Sequence, residues 1–262
     1  MAYDYEYFKK EVYKLTQIDL NAYKEKQMKR RIDTLIERYK LDGYDSFLKS
    51  LRSDKDFLDD FMNYLTINVS EFFRNPDQWN ILDRTIVPEL LDKFGNRLNI
   101  WSAACSTGDE PYSLVMLLSK HIPLKDININ ATDIDKQVIM AAKNGIYSEK
   151  SLAGIPSDLK NKYFKEVAVD SFKIDSLIKE RVSFKEHNLL KDAYPNNVQL
   201  IVCRNVLIYF TEEAKSEIFK KFYDALAPGG VLFLGATEQM MDYKQIGFIR
   251  KTSFFFEKPM ND

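Results

Sequence analysis

The chain has 262 residues, with 38 Lys and Arg against 39 Asp and Glu, for a formal charge of −1. That balance excludes a strongly basic nucleic-acid binder, whose phosphate contacts need a surplus of Lys and Arg. A content of 45% hydrophobic and 13% aromatic residues excludes a disordered chain, and the length allows one large domain or two unequal ones.

The first 95 or so residues read as helices. Apolar residues recur every three or four positions over 3–16, 21–40, 44–51 and 54–65, with a break at Asp42-Gly43. A further helix is expected over 76–94, stopped by Gly95. Strands then alternate with helices. Strands are expected over 97–103, 127–132, 182–186, 200–203 and 231–234, and helices over 111–121, 136–144 and 212–226, the last capped by Thr211 and stopped by Pro228-Gly229-Gly230. Segments 248–250 and 253–257 read as a closing antiparallel pair. The alternation implies an α/β fold with a doubly wound, mainly parallel sheet. Short strands over 163–185 read as a small β insertion. The expected division is a helical domain over 1–72, a linker and helix over 73–95, and an α/β domain over 96–262.

In such a sheet, ligands bind at the carboxyl ends of the strands. After the first strand comes Ala104-Cys105-Ser106-Thr107-Gly108-Asp109-Glu110-Pro111. This turn has a glycine for close backbone approach, but it carries two acids and no Lys or Arg. It suits a cationic ligand better than a phosphate, although both acids could simply cap the helix. After the second strand, Asp133 lies where folds of this kind bind ribose hydroxyls, and Asp135 reads as an N-cap. After the third, Asn188 could meet a base edge; after the fourth come Arg204 and Asn205. Four consecutive strand ends suited to a ribose, an adenine and a cation point to S-adenosylmethionine (AdoMet) rather than NAD or ATP. Two cysteines (Cys105, Cys203) and two histidines (His121, His187) offer neither a disulfide framework nor zinc-ligand spacing. With no leader peptide and no apolar run of 18 residues, the expectation is a cytoplasmic protein without metal or membrane insertion.

The segments Asn68-Val69-Ser70-Glu71-Phe72-Phe73-Arg74, Trp101 to Ser113, Ala131-Thr132-Asp133-Ile134-Asp135 and Cys203 to Phe210 resemble the bacterial chemotaxis receptor methyltransferases of the CheR type, in order and over nearly the whole chain. The texture of the N-terminal helices is similar to a Bacillus-like member. The resemblance implies an all-α N-terminal domain and a Rossmann-like class I AdoMet methyltransferase domain with an inserted β-subdomain. It implies that Asn68, Ser70 and Arg74 help enclose the cofactor. Glu110 would take its methionine end, Asp133 the ribose, Asn188 and Leu189 the adenine, and Arg204 and Asn205 the sulfonium side. Tyr209 would lie near the methyl group, and Tyr209 and Arg204 would orient the substrate carboxylate.

The implied reaction moves a methyl group from AdoMet to chemoreceptor glutamates, giving methyl esters and S-adenosylhomocysteine (AdoHcy). A carboxylate with a pKa of about 4.3 is already ionised at neutral pH, so alignment and a dry site matter more than a general base. The partner would be the receptor's cytoplasmic helical bundle. Segment 23–40 has seven basic residues against three acidic ones, and Lys29, Arg30, Arg31 and Arg38 are its candidate docking cations. A monomer is the default. The rival readings are an AdoMet-dependent methyltransferase of another substrate and a non-catalytic AdoHcy sensor. Against a base methyltransferase, no Pro-Pro-Tyr follows Asn205.

Overall fold

A computed structural model describes residues 4–66 and 68–260. Two compact units emerge. The first joins the N-terminal helices through Asn68 with Tyr209–Ser216; the second comprises Val69–Ile208 and Glu217 onward.

In the first unit, α1 (Tyr5–Thr16) is capped by Asp4, whose carboxylate accepts the Tyr7 N–H. The helices α2 (Glu25–Arg38), α3 (Tyr44–Ser53) and α4 (Lys55–Thr66) follow. Their core is aromatic. Phe8 meets Phe47 edge-on at 5.5 Å, and Phe47 meets Phe57 and Phe61 at 4.9 and 5.3 Å. Such T-shaped pairs match the positive ring edge to a negative face. Met28, Ile32 and Leu35 bury one stripe of α2, while Lys24, Lys26, Lys29 and Arg30 lie exposed on the other side. The later segment joins this unit by a bridge between Tyr23 and Phe210, whose rings stack at 4.7 Å. The helix expected over 21–40 starts only at Glu25, after a 3₁₀ turn at Leu20–Ala22.

The second unit opens with α5 (Pro76–Ile81), a π turn (Leu82–Ile86) and α6 (Val87–Phe94), which follow without a break and end at Gly95. The elements then run β1 (Ile100–Ala103), α7 (Asp109–Leu118), β2 (Ile129–Asp133), α8 (Lys136–Asn144), β3 (Ile146–Tyr147), α9 (Ser157–Tyr163), β4 (Phe164–Ala168), β5 (Ser171–Ile174), α10 (Ser176–Lys179), β6 (Val182–Glu186) and β7 (Val198–Cys203). After α11 (Glu212–Ala225), which belongs to this unit only from Glu217 onward, they close with β8 (Leu226–Leu234), α12 (Tyr243–Ile246), β9 (Ile249–Arg250) and β10 (Phe255–Glu257). The main sheet has the order β6-β2-β1-β7-β8-β10-β9. Its first five strands are parallel, and β10 and β9 close it antiparallel. α7 is buried from Pro111 to Leu118.

Three expectations are corrected. Residues 73–95 are not a linker between domains: Phe73, Trp79, Leu82, Ile86, Val87 and Leu90 belong to the core of the second unit, and the division falls at Asn68/Val69 rather than after residue 72. The inserted sheet is β3-β5-β4. It recruits Ile146–Tyr147 from before the expected segment and loses 182–185, because Val182–Glu186 pairs with β2. Pro228-Gly229-Gly230 lies inside β8, because the chain already pairs at Leu226 with Val198 and a bulge absorbs the irregularity.

Candidate functional site

The turn after β1 is tightly wound. Ala104, Ser106 and Gly108 all have positive φ, at 63°, 49° and 91°. Its hydrogen bonds explain how non-glycine residues are kept there. Cys105 N–H donates to the Thr132 carbonyl, and Ser106 N–H donates to Asp133 Oδ2 at 2.8 Å. Asp133 Oδ1 accepts the Asp135 N–H at 3.0 Å. One carboxylate thus ties the ends of β1 and β2 together. Burial pushes its pKa up to about 6, against the stabilising N–H groups of Asp135 and Ser106. Asp135 caps α8 as expected.

The two acids of the turn separate in role. Asp109 is 1% exposed, and its Oδ2 accepts the Thr107 hydroxyl at 2.5 Å. Ser70 also hydrogen-bonds it. Asp109 is therefore spent on the protein, and Ser70 fastens the segment before α5 to this turn. Phe73 N–H adds a bond to Ser113 Oγ at 3.1 Å, and Phe72 packs edge-on against Tyr147 and Phe164. Glu110 Oε1 accepts the Ser102 hydroxyl at 2.8 Å, while Oε2 lies 3.8 Å from Arg204 Nη1. Burial pushes Glu110 up to about 7; the Arg204 cation is the largest opposing influence.

Arg204, expected on the sulfonium and substrate side, is 7% exposed, and its Nη2 donates to the Arg74 carbonyl (2.7 Å), Gln78 Oε1 (2.8 Å) and Asn75 Oδ1 (3.3 Å). The guanidinium lies over Phe233 at 4.8 Å and Trp79 at 5.6 Å. It acts as a structural tie between the end of β7 and the start of α5. Arg74 folds back to donate to the Val69 carbonyl, and Asn205 has φ 61°. After β6, Asn188 Oδ1 accepts the Leu190 N–H and Leu189 is buried.

These positions bring Ser70, Arg74, Glu110, Asp133, Arg204 and Asn205 together in the second unit, at the ends of β1, β2 and β7, with Asn188 and Leu189 after β6. Asn68 and Tyr209 belong to the first unit. There Asn68 donates to Thr66 Oγ1 at 2.9 Å, and the Tyr209 carbonyl accepts the Lys24 N–H. On α2, Lys29, Arg30 and Arg38 are exposed, Arg38 lying 3.6 Å from Asp60. Arg31 departs from them. It is half-buried, donates to the Tyr64 carbonyl and stacks on the Tyr64 ring at 4.3 Å. The sequence reading missed Glu238, which lies in the loop after β8 and accepts backbone N–H groups at Asn205, Val206, Leu207 and Gly235. No motif in the sequence marks it.

The donor set fits AdoMet. Burial raises the proton affinity of two carboxylates here, Glu110 and Asp133, and among the described residues the buried Ser106 Oγ has no hydrogen-bond partner. A ligand bringing positive charge and hydroxyls to these strand ends would answer both. Among the described residues, no cluster of three His, Cys, Asp or Glu could hold a metal ion, and no helix is long and apolar enough to cross a membrane.

The family model of the CheR methyltransferase SAM-binding domain matches residues 68–255, and that of the CheR methyltransferase all-alpha domain matches residues 3–66. A chemotaxis protein methyltransferase of Listeria innocua is 39% identical over 97% of both chains. Chemotaxis protein methyltransferase 2 of Vibrio cholerae is 35% identical over 87% of this chain and 81% of its own, and the Borreliella burgdorferi relative is 30% identical over 93% and 90%. Fold, site and matched domains define a Rossmann-like, AdoMet-dependent methyltransferase. The chain belongs to the CheR methyltransferase family.

Proposed function

We propose that the protein acts in the cytoplasm, transferring the methyl group of AdoMet to glutamate side chains on the helical bundle of chemoreceptors and giving γ-glutamyl methyl esters. The observation that carries this reading is the pair of buried carboxylates, Glu110 in the first turn of α7 and Asp133 at the end of β2, in a chain that matches a chemotaxis methyltransferase over 97% of its length. Glu110 would hold the cationic methionine end and Asp133 the ribose hydroxyls. Asn188 and Leu189 would line the adenine side. Arg204 and Asn205 would border the sulfonium and substrate side, and Arg74 would help enclose the cofactor with Ser70, which holds its segment through Asp109. Asn68 and Tyr209 complete the proposed set, with Tyr209 orienting the substrate carboxylate.

Bound, AdoMet supplies a methyl group already activated on a sulfonium. An acceptor glutamate with a pKa of about 4.3 is ionised at neutral pH, so no residue of this chain has to take a proton. The residues instead align acceptor and methyl and exclude water. Alignment of this kind lowers a barrier by up to about 7–11 kcal/mol. The exposed Lys29 and Arg30 of α2, with Arg38 further along it, would meet the acidic bundle.

The test is incubation with methyl-labelled AdoMet and a chemoreceptor cytoplasmic fragment. Label released by base as methanol identifies a carboxyl ester, as expected. Base-stable label would assign N-methylation instead, and tight AdoHcy binding without transfer would assign a sensor.

A further inference from the structure

The loop that follows β8 reads Gly235-Ala236-Thr237-Glu238, and Glu238 turns its side chain inward to 5% exposure. Its Oε2 accepts the N–H groups of Gly235 (2.7 Å) and Asn205 (2.8 Å); its Oε1 accepts those of Leu207 (2.7 Å) and Val206 (3.0 Å). Three consecutive N–H groups of the loop after β7 therefore converge on one carboxylate. Convergent N–H groups of this kind form anion-holding nests. Here the anion is a side chain borrowed from the neighbouring strand end. Two backbone features depend on it. Asn205 sits at φ 61°, a conformation that non-glycine residues keep only when their surroundings enforce it. Gly235 leaves the necessary gap: a Cβ there would stand 2.6 Å from Glu238 Oε2 and 2.9 Å from the Asn205 nitrogen.

We infer that Glu238 is a positioning residue for methyl transfer, fixing the turn from Arg204 to Leu207 so that Asn205 and the residues after it meet the reacting groups in one geometry. It acts through that turn and touches neither cofactor nor substrate. The inference rests on the methyltransferase reading proposed above. It separates Glu238 from Glu110 and Asp133: those two would bind the cofactor, so their loss would weaken binding, whereas loss of Glu238 should spoil alignment.

Glu238→Gln replaces one acceptor oxygen by an NH₂ group that faces the same N–H donors. Gly235→Ala keeps the charge but pushes the carboxylate off its nest. The expected result for both variants, measured on folded protein with a receptor fragment, is a fall in kcat of about 100-fold, the scale of a small misplacement of reacting groups. The KM for AdoMet and the Kd for AdoHcy should stay within about threefold, because the binding carboxylates are untouched. A second readout separates charge from shape. Glu110 is faced by Ser102 and by the charged groups Arg204, Glu238 and Arg74, and the negative charge of Glu238 raises its proton affinity. Glu238→Gln should therefore move the acid limb of AdoHcy binding to lower pH, and Gly235→Ala should not.

Variants that unfold more easily yet turn over at the wild-type kcat would overturn the positioning role, as would a raised KM with unchanged kcat. A wild-type protein that binds AdoHcy and transfers nothing would overturn the functional reading together with this inference. A wild type that transfers beside variants that match it overturns the inference alone.

Discussion

Gly108 shows how little room the first turn leaves. At φ 91° a Cβ would stand 2.9 Å from Ala142 Cβ, 3.0 Å from the Tyr112 ring and 3.2 Å from the Tyr147 hydroxyl. Gly108→Ala combines left-handed strain with overpacking, so a loss of about 2–4 kcal/mol is expected in urea unfolding. A loss below about 1 kcal/mol would mean that the turn relaxes freely. Asp109 and Glu110 adjoin in sequence, and as sequence they were one acidic pair suited to a cation. Only the fold divides them, because the helix begins at Asp109 and turns the two side chains to different neighbours, Thr107 and Ser70 for one, Ser102 and Arg204 for the other. Asp109→Asn is accordingly expected to cost stability with little loss of AdoHcy affinity. Glu110→Gln is expected to weaken AdoHcy binding at least tenfold, about 1.4 kcal/mol. Calorimetry with AdoHcy, beside urea unfolding, checks both; equal loss of affinity in the two variants would contradict the division.

At the scale of elements, strand ends were legible because alternating apolar strands and capped helices have distinct periods, and the fold class fixes where their ends converge. Two-residue β3 was not legible, since a strand that short has no period to read. The π turn at Leu82–Ile86 was not legible either: its apolar residues continue a helical stripe that the chain satisfies with one wider turn. The partners of Arg204 were not legible for a different reason. Its position after a strand marked it as functional, while the acceptors that immobilise it, Arg74 O and Gln78, lie some 130 residues earlier in the chain and cannot be paired with it from the sequence. Arg204→Ala would leave those acceptors and the Glu110 carboxylate without their cation. Breaking a buried pair in this way costs about 3–5 kcal/mol, measurable by urea unfolding. A variant as stable as wild type would contradict a structural contribution from these contacts.

Across the whole molecule, the formal charge of −1 conceals a basic face on α2 and acidic strand ends in the second unit. Lys29→Glu with Arg30→Glu is expected to slow receptor methylation, most strongly at low salt, while AdoHcy affinity stays the same, because exposed charges act through a screened field. Unchanged methylation across salt concentrations would remove α2 from the docking surface. Arg31 is a poorer probe, since reversal there also breaks its contacts with Tyr64.

Glu110 and Asp133 are the two groups proposed to hold AdoMet, Glu110 at its cationic end and Asp133 at its ribose. Both have folded-state pKa values raised by burial, to about 7 and about 6. For such groups the contribution to stability is fully present below the unfolded carboxylate range and is lost as pH rises through 6 to 7. A bound cation reverses that loss, so the rise in Tm on adding AdoMet should be larger at pH 8 than at pH 5.5. The most direct measurement is the calorimetric affinity for AdoMet from pH 5.5 to 8, in wild type and Glu110→Gln. The predicted result is affinity that climbs through pH 6 to 7 in wild type and climbs less in the variant. A flat wild-type profile, or a variant that binds as tightly as wild type at pH 8, would contradict it.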